Sequence, residues 1–265
     1  MPFDAHIHLD HYEPAERDAM LEAAFAAGVR GVVTVSMGLD SCRENLRLAL
    51  RDPGRVIPAF GRHPEQPPLT DGELEELCAW IAGLPADLPK AVGEVGLPYF
   101  NRTAAEAAGE AFDSAPYVRQ LETFVRLAAE LDLPIALHAV HEDADTTMDL
   151  LEEHGVRRAH FHWFKGSRAT MERLVAGGYY VSVTPEVLYD EETRALARLY
   201  PLDRLMVETD GPWPFEGPFA GRRTEPRMVM DAAREIAALR HLPEADVLRA
   251  LERNTRRCYG LPDGE

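Results

Sequence analysis

Short apolar runs alternate with longer amphipathic segments along the whole chain. The short runs are rich in Val, Ile, Leu and Phe and end at Gly, Pro or charged residues, which is typical of buried strands. The longer segments repeat apolar residues at helical spacing. Strands are predicted at about residues 3–9, 29–36, 55–60, 90–95, 133–138, 158–163, 178–183 and 204–208. Helices are predicted at about residues 14–27, 41–50, 71–82, 116–131, 145–153, 167–176, 191–199, 227–239 and 244–259.

This alternation predicts a parallel sheet, because parallel strands need a long crossover connection, which is usually a helix. Eight such units predict an α/β fold: a TIM (β/α)8 barrel with parallel strands and an extra C-terminal helix. An open doubly wound sheet is the alternative, and it ranks second because no Gly-rich phosphate turn follows the first strand. Residues 1–265 are predicted to form a single domain, since no linker, low-complexity tract or internal repeat interrupts them.

One segment does not fit the pattern. Residues 98–115 are rich in Ala and Gly, show no clear period and are predicted to be irregular. Because the segment is longer than most connections in a compact domain, we expect it to be functional or mobile.

The charge of the chain limits its partners. There are 28 Lys and Arg against 45 Asp and Glu, a net charge of −17 at pH 7. An acidic protein repels polyanions at long range, which argues against extended duplex binding. A local phosphate pocket remains open, because bound divalent cations reverse the local sign.

Other features predict a cytoplasmic protein. No apolar run reaches the roughly 18 residues that a membrane span needs, and no signal-peptide pattern opens the chain. The three cysteines, Cys42, Cys78 and Cys258, lie far apart in predicted helices, as expected for reduced thiols.

Polar residues interrupt the apolar runs at the ends of several predicted strands. In a barrel of this kind, chemistry lies at the C-terminal ends of the strands. A carboxylate such as Glu94 is costly to bury without a partner, whereas His138 or Asp210 alone has an ordinary explanation as a strand-end or turn residue. Together they predict a divalent metal site, and their number suits two ions with a carboxylate between them. The residues are His6, His8, Glu94, His138, His162 and Asp210.

These residues lie in five motifs, in chain order: residues 4–10 (DAHIHLD), 93–97 (GEVGL), 133–138 (LPIALH), 162–166 (HWFKG) and 208–212 (ETDGP). Residues 223–226 (RTEP) and a last helix with Asn254 and Arg257 complete the pattern. With this combination the chain resembles the TatD-type metal-dependent hydrolases, also described as TatD-related deoxyribonucleases. The resemblance covers essentially the whole chain.

The resemblance implies an amidohydrolase-like barrel that hydrolyses ester bonds, above all the phosphodiester bonds of DNA, with a metal-activated water. It implies that one metal is held by His6, His8, Glu94 and Asp210, and a second by Glu94, His138 and His162. Glu94 would bridge the two, and Asp210 would orient the water or accept its proton. We therefore expect two divalent ions, with Zn, Mn and Mg as the candidates.

The chain departs from the family pattern around these ligands. Pro98 stands where an aspartate is usual, Val140 where an arginine is frequent, and Lys165 where a serine is usual. Arg62 precedes His63 in place of Ile or Val, and residues 211–213 (GPW) replace Ala-Pro-Tyr. Since the ligands are kept and their surroundings change, hydrolysis is expected and the substrate is left open.

The altered surroundings supply the candidate substrate-binding residues. Arg62 and Lys165 could hold a phosphate or carboxylate, and His63 could donate a proton or a hydrogen bond. Trp213, with Trp163 and Phe215, could form an aromatic wall. For each of them, an ordinary surface or packing role is the alternative.

Three functions follow. The leading one is a metal-dependent phosphoesterase, such as a 3′-to-5′ deoxyribonuclease acting on single-stranded DNA. The second is a metal-dependent hydrolase of a small non-nucleotide ester, lactone or amide, which the acidity and the altered loops favour. The third is a non-catalytic metal-binding protein on the same fold. We expect a small-molecule or single-stranded DNA substrate and no membrane partner, and the oligomeric state is left open.

Overall fold

A computed structural model describes residues 1–262, so residues 263–265 of the predicted domain lie outside the described residues. The strands are Asp4–Ile7 (β1), Val32–Thr34 (β2), Val56–Phe60 (β3), Ala91–Gly96 (β4), Ile135–His138 (β5), Ala159–Phe161 (β6), Tyr180–Val183 (β7) and Leu205–Val207 (β8). The α-helices are Pro14–Ala26 (α1), Leu39–Arg51 (α2), Asp71–Ala82 (α3), Tyr99–Ala107 (α4), Ala115–Glu130 (α5), Asp143–Glu153 (α6), Arg168–Gly177 (α7), Glu191–Leu199 (α8), Val229–Arg240 (α9) and Glu244–Tyr259 (α10).

The eight strands form one sheet in the order β1 to β8, and each pairs in parallel with the next. Helices connect successive strands and pack on the outer face of the sheet through a large apolar cluster. The prediction of a TIM barrel with parallel strands is confirmed. No helix within residues 1–262 is long and apolar enough to cross a membrane.

Backbone hydrogen bonds join the end of β8 to β1 at the mouth of the barrel. The amide of Asp210 donates to the carbonyl of His6 at 2.9 Å, and the amide of His8 donates to the carbonyl of Gly211 at 2.9 Å. We call these two bonds the closing seam. The seam brings the first strand and the last strand together, although about 200 residues separate them in the chain.

The side chain of Asp4 reinforces the closing seam. Its Oδ1 accepts hydrogen bonds from the amides of Thr209 (2.9 Å) and His6 (3.3 Å), and its Oδ2 accepts one from the Thr209 hydroxyl. Burial raises the pKa of Asp4 well above its usual value, although the bonds from Thr209 act in the opposite direction. Asp4 therefore holds the segment after β8 against β1.

The inside of the barrel is filled by small and medium side chains. Ala5, Ala59, Ala91 and Ala136 pack there with valines, Ile57 and Met206, and α10 adds Cys258 and Tyr259. These strand residues alternate with residues that face the helices outside the barrel. Both faces of each strand are therefore buried, as the continuous apolar runs in the sequence predict.

Two local expectations had different outcomes. The capping box at the start of α3 is present, since Thr70 and Glu73 exchange side-chain and backbone hydrogen bonds. Residues 98–115, predicted to be irregular, instead contain the helix α4. Alanine favours a helix, but none of the α4 residues is fully buried, so no stripe of large core-facing side chains marks this helix in the sequence.

We predict that Asp4→Ala destabilises the fold by about 2–5 kcal/mol, because two buried amides and one hydroxyl lose their acceptor. Asp4→Asn keeps an acceptor oxygen and should lose less than half as much. Urea unfolding in the presence of a chelator measures both. Equal stability of Asp4→Ala and Asp4→Asn would contradict the role of Asp4 in the closing seam.

Candidate metal centre

The structure brings the six predicted ligands together at the C-terminal mouth of the barrel. Five strands position them, because each lies on the last residues of a strand or just beyond its end. All six are buried. They are His6, His8, Glu94, His138, His162 and Asp210.

Glu94 lies at the centre of this cluster. Its Oε2 is 3.2 Å from Nε2 of His6 and 3.3 Å from Nε2 of His8. Its Oε1 is 3.0 Å from Nδ1 of His138 and 2.9 Å from Nε2 of His162. The two carboxylate oxygens therefore face different imidazole nitrogens on the two sides of Glu94.

Asp210 completes the half that contains His6 and His8. Its Oδ1 is 3.4 Å from Nε2 of each histidine, and it has no hydrogen-bond partner within residues 1–262. The backbone of Asp210 has a φ of +47°, in the left-handed region that is unfavourable for most residues other than glycine. The closing seam holds this conformation, which directs an unpartnered carboxylate oxygen into the cluster.

The charges in the cluster suit a bound cation. Burial lowers the pKa of an imidazole, but the neighbouring carboxylates of Asp210 and Glu94 outweigh burial and raise the pKa of His8 to about 10. Burial opposes ionisation of Glu94, yet the surrounding imidazoles, His63 and His162 first, hold its pKa well below the usual value. The site thus contains buried anionic oxygens that stabilise positive charge.

The donor atoms also fit metal ions. His6, His8 and Asp210 offer three ligand atoms within 4.8 Å of one another, and so do Glu94, His138 and His162. Imidazole nitrogen and carboxylate oxygen suit ions such as Zn and Mn. Together with the unpartnered oxygen of Asp210, the arrangement can accept one ion on each side of Glu94.

A buried network behind His162 was not predicted. Glu208 accepts hydrogen bonds from the amide of Trp163 (2.6 Å) and the hydroxyl of Ser182 (2.5 Å), and its Oε1 lies 3.5 Å from Nδ1 of His162. His160, expected in the barrel interior, is buried there and lies 2.6 Å from the hydroxyl of Ser182. The position of Glu208 two residues before Asp210 was the available signal.

Glu65 is a second residue that the sequence did not reveal. Its Oε1 lies 3.5 Å from Nε2 of His138, the nitrogen that faces away from Glu94. Burial opposes its ionisation, but His138 and the amides of Phe100 and Asn101 hold the pKa of Glu65 below its usual value. Glu65 lies in the loop after β3, and no sequence motif indicates that a glutamate there contacts His138.

Two of the predicted substrate-binding residues lie beside the cluster. Nε2 of His63 is 3.5 Å from Oε1 of Glu94, and burial lowers the pKa of His63 to about 4. Trp213 is 59% exposed and lines a groove of about 390 Å³ together with His8, His63 and Glu65. This groove leads from the surface to the candidate metal centre.

The other candidates have partners elsewhere. The guanidinium of Arg62 donates to the carbonyl of Pro67 at 2.9 Å, and Nζ of Lys165 is 3.1 Å from Glu186. Trp163 and Phe215 pack against each other with ring centroids 5.9 Å apart. None of these four residues lines the groove beside His8.

The fold and the cluster together define a metal-dependent hydrolase, and comparison with known proteins identifies the family. The family model described as "TatD related DNase" matches residues 3–260. An uncharacterized metal-dependent hydrolase from Haemophilus influenzae is 34% identical over 262 residues, covering 98% of this chain and 100% of that protein. The chain belongs to the TatD related DNase family, and the prediction of a TatD-type metal-dependent hydrolase is confirmed.

Two further proteins are similar over nearly their whole length. A protein from Erwinia tasmaniensis named 3′-5′ ssDNA/RNA exonuclease TatD is 28% identical, with 98% of this chain and 100% of that protein covered. The crystal structure of the TatD homologue YjjV from Escherichia coli superimposes with a TM-score of 0.81 at 29% identity and covers 98% of each chain.

We predict that Zn²⁺ or Mn²⁺ stabilises the folded protein. Binding to the folded state alone contributes about 2.7 kcal/mol at 100 times the Kd, which raises the Tm by roughly 5–10 °C for a chain of this size. Glu94→Gln should remove most of that rise, because both halves of the cluster lose an anionic oxygen. Calorimetry with ion or with chelator tests this, and His241→Asn, an exposed histidine at the end of α9, is the control. A rise of wild-type size in Glu94→Gln would rule out Glu94 as a ligand.

Proposed function

We propose that this chain is a phosphoesterase that holds two divalent ions, Zn, Mn or Mg, and cleaves phosphodiester bonds of single-stranded DNA. The position of Glu94 between two imidazole pairs is the observation that carries this proposal. On this assignment, His6, His8, Asp210 and Glu94 hold one ion, and Glu94, His138 and His162 hold the other. When bound, such ions polarise the phosphoryl group and lower the pKa of a water near it.

Asp210 is proposed to act in the proton transfer. Its Oδ1 is directed into the cluster, where it would face the ion, so the other carboxylate oxygen is the one available to orient a water and to accept its proton. The closing seam fixes the backbone of Asp210, and the carboxylate therefore needs little reorganisation when substrate binds.

His63 is proposed to donate a hydrogen bond to the substrate. Its Nδ1 accepts a hydrogen bond from the amide of Glu65 at 3.1 Å, which leaves the proton of the neutral ring on Nε2. Nε2 is the atom that faces Glu94, so an oxygen of a substrate bound at the ions is within its reach.

The groove supports a single-stranded substrate. Its volume of about 390 Å³ suits a small unit such as one nucleotide, and the exposed ring of Trp213 offers a surface on which a base can stack. The Erwinia relative is named for action on single-stranded DNA and RNA from the 3′ end, and we propose the same polarity here. Substrate binding by Arg62 and Lys165 stays a prediction, because each side chain would have to leave its present partner to contact the substrate.

A second candidate function is hydrolysis of a small non-nucleotide ester, lactone or amide. The residues that line the groove include no lysine or arginine. The phosphodiester backbone of a nucleic acid would therefore be attracted there by the ions and not by a lysine or arginine side chain. With a net charge of −17, this arrangement also suits an uncharged substrate.

We predict that Asp210→Asn lowers kcat on single-stranded DNA by about 10²–10⁴-fold, the usual contribution of a positioned proton acceptor. Release of mononucleotides from oligonucleotides labelled at either end measures both the rate and the polarity. Asp231→Asn, which changes an exposed ion pair with Arg234, is the control. If the wild type cleaves no DNA with Mn²⁺, Mg²⁺ or Zn²⁺ but hydrolyses small esters, the second candidate replaces the first.

We predict that Trp213→Ala lowers kcat/KM on single-stranded DNA by about 10–100-fold, since stacking contributes roughly 1–3 kcal/mol per base. Hydrolysis of an aliphatic ester or lactone should change much less, because these substrates offer no ring to stack. Leu199→Ala removes another exposed apolar side chain, 65% exposed on α8, and serves as the control. An unchanged kcat/KM on DNA would exclude Trp213 as a base-binding surface.

A further inference from the structure

The carboxylate of Glu65 contacts both a proposed metal ligand and the helix α4. On one side it faces the ring of His138, and on the other side it contacts the first turn of α4. Neither contact was expected from the sequence, and Oε1 takes part in both.

The first contact concerns a proposed ligand. Nδ1 of His138 faces Glu94, and its Nε2 is without a hydrogen-bond partner within residues 1–262. Oε1 of Glu65 is 3.5 Å from that Nε2, close enough for a small ring rotation to make the bond. A carboxylate in this position orients an imidazole ligand and makes it more basic.

The second contact holds the start of α4. Oε1 and Oε2 of Glu65 accept the amides of Phe100 and Asn101 at 2.8 Å each, and the carbonyl of Glu65 accepts the Asn101 side chain at 2.8 Å. The first amides of a helix have no partner inside the helix, and Pro98 before α4 offers no side-chain acceptor. Glu65 therefore caps α4 from another loop, where its negative charge is also favourable.

The helix α4 depends on a few such polar contacts. It has nine residues, none of them fully buried, and an isolated helix of that length is marginal in water. Besides the cap, Arg102 joins α4 to α6 through Glu142 (2.8 Å) and Asp143 (3.0 Å). When α4 is docked, the ring of Phe100, 58% exposed, lies 5.8 Å from that of His138 at the edge of the site.

The two histidine ligands of the other ion have no such connection. Nδ1 of His6 and Nδ1 of His8 are without hydrogen-bond partners within the described chain. A carboxylate that acts through His138 should therefore affect the ion between Glu94, His138 and His162, and should leave the ion at His6 and His8 largely unchanged.

We propose that Glu65 is a positioning residue that couples binding of the ion at His138 to the docking of α4. The proposal rests on the two-ion site of the proposed function. With an ion bound at Nδ1, His138 would donate more strongly from Nε2, which would draw its ring and the Glu65 carboxylate together. Because coupling is reciprocal, a docked α4 also favours the ion, and ion binding brings Phe100 into place beside the site.

Two measurements on the full-length protein test this proposal, with Zn²⁺ alone as the probe. Titration of the metal-free protein against a chromophoric chelator gives the two affinities. Hydrogen exchange then follows the amides of Phe100 and Asn101 with and without Zn²⁺. In the wild type we expect two bound ions. We expect the amides of Phe100 and Asn101 to exchange more slowly in the protein that holds both ions than in the metal-free protein.

Glu65→Gln keeps an acceptor oxygen for one of the two α4 amides and removes the charge behind His138. We expect one of the two affinities to fall about 10–100-fold, the other to change less than about twofold, and Zn²⁺ to lose its effect on α4 exchange. Glu73→Gln makes the same change in the cap of α3, which does not contact the cluster, and should leave both affinities unchanged. Arg102→Ala should loosen α4 and, through reciprocity, weaken the same ion.

The outcomes distinguish the failure of this coupling from the failure of the two-ion site on which it rests. Binding of a single ion by the wild type would overturn the two-ion site and this coupling with it. Two ions in the wild type, with unchanged affinities in Glu65→Gln or with α4 exchange insensitive to Zn²⁺, would overturn the coupling alone. The wild-type exchange experiment decides the matter even if a variant fails to fold.

Discussion

The candidate metal centre depends on the closing seam between β8 and β1. Two backbone hydrogen bonds join His6 and His8 to the segment of Asp210, so three of the six proposed ligands take their positions only when the barrel closes. The unfavourable backbone conformation of Asp210 is sustained by the same bonds and by Asp4 below them. The same pairing of β1 with the segment after β8 therefore closes the barrel and assembles the site.

Buried charge makes this arrangement costly without a cation. Glu94 and Asp210 are both buried, so without a metal ion protonated imidazoles must balance their charge, although burial disfavours a charged ring as well. A divalent ion on each side of Glu94 would satisfy the carboxylate oxygens and the imidazole nitrogens together. The polar mouth contrasts with the small apolar side chains deeper in the barrel, so the charge is confined to the end where substrate can enter.

The sequence predicts the parts of this structure that follow a period or a residue type. The strands follow from alternating apolar runs, and the six candidate ligands follow from histidines and carboxylates at strand ends. The helix α4 escapes prediction because none of its residues is fully buried, and Glu65 escapes because its role depends on a contact between loops after β3 and β4. For Arg62 and Lys165, residue type indicates a possible charge contact, but it cannot reveal that Pro67 and Glu186 already engage them.

The choice of substrate therefore lies outside the cluster, in the loops that surround it. The ligand atoms alone are compatible with any ester that reaches two ions. Trp213 gives the groove one aromatic surface, and Glu65 ties the other edge, formed by α4 and Phe100, to His138. If the ions and α4 are coupled in this way, the edge beside Phe100 is complete only in the metal-loaded protein. Substrate would then find the complete groove only in the metal-loaded protein, which is the form that can hydrolyse it. The Glu65 carboxylate would in this way connect substrate binding to catalysis.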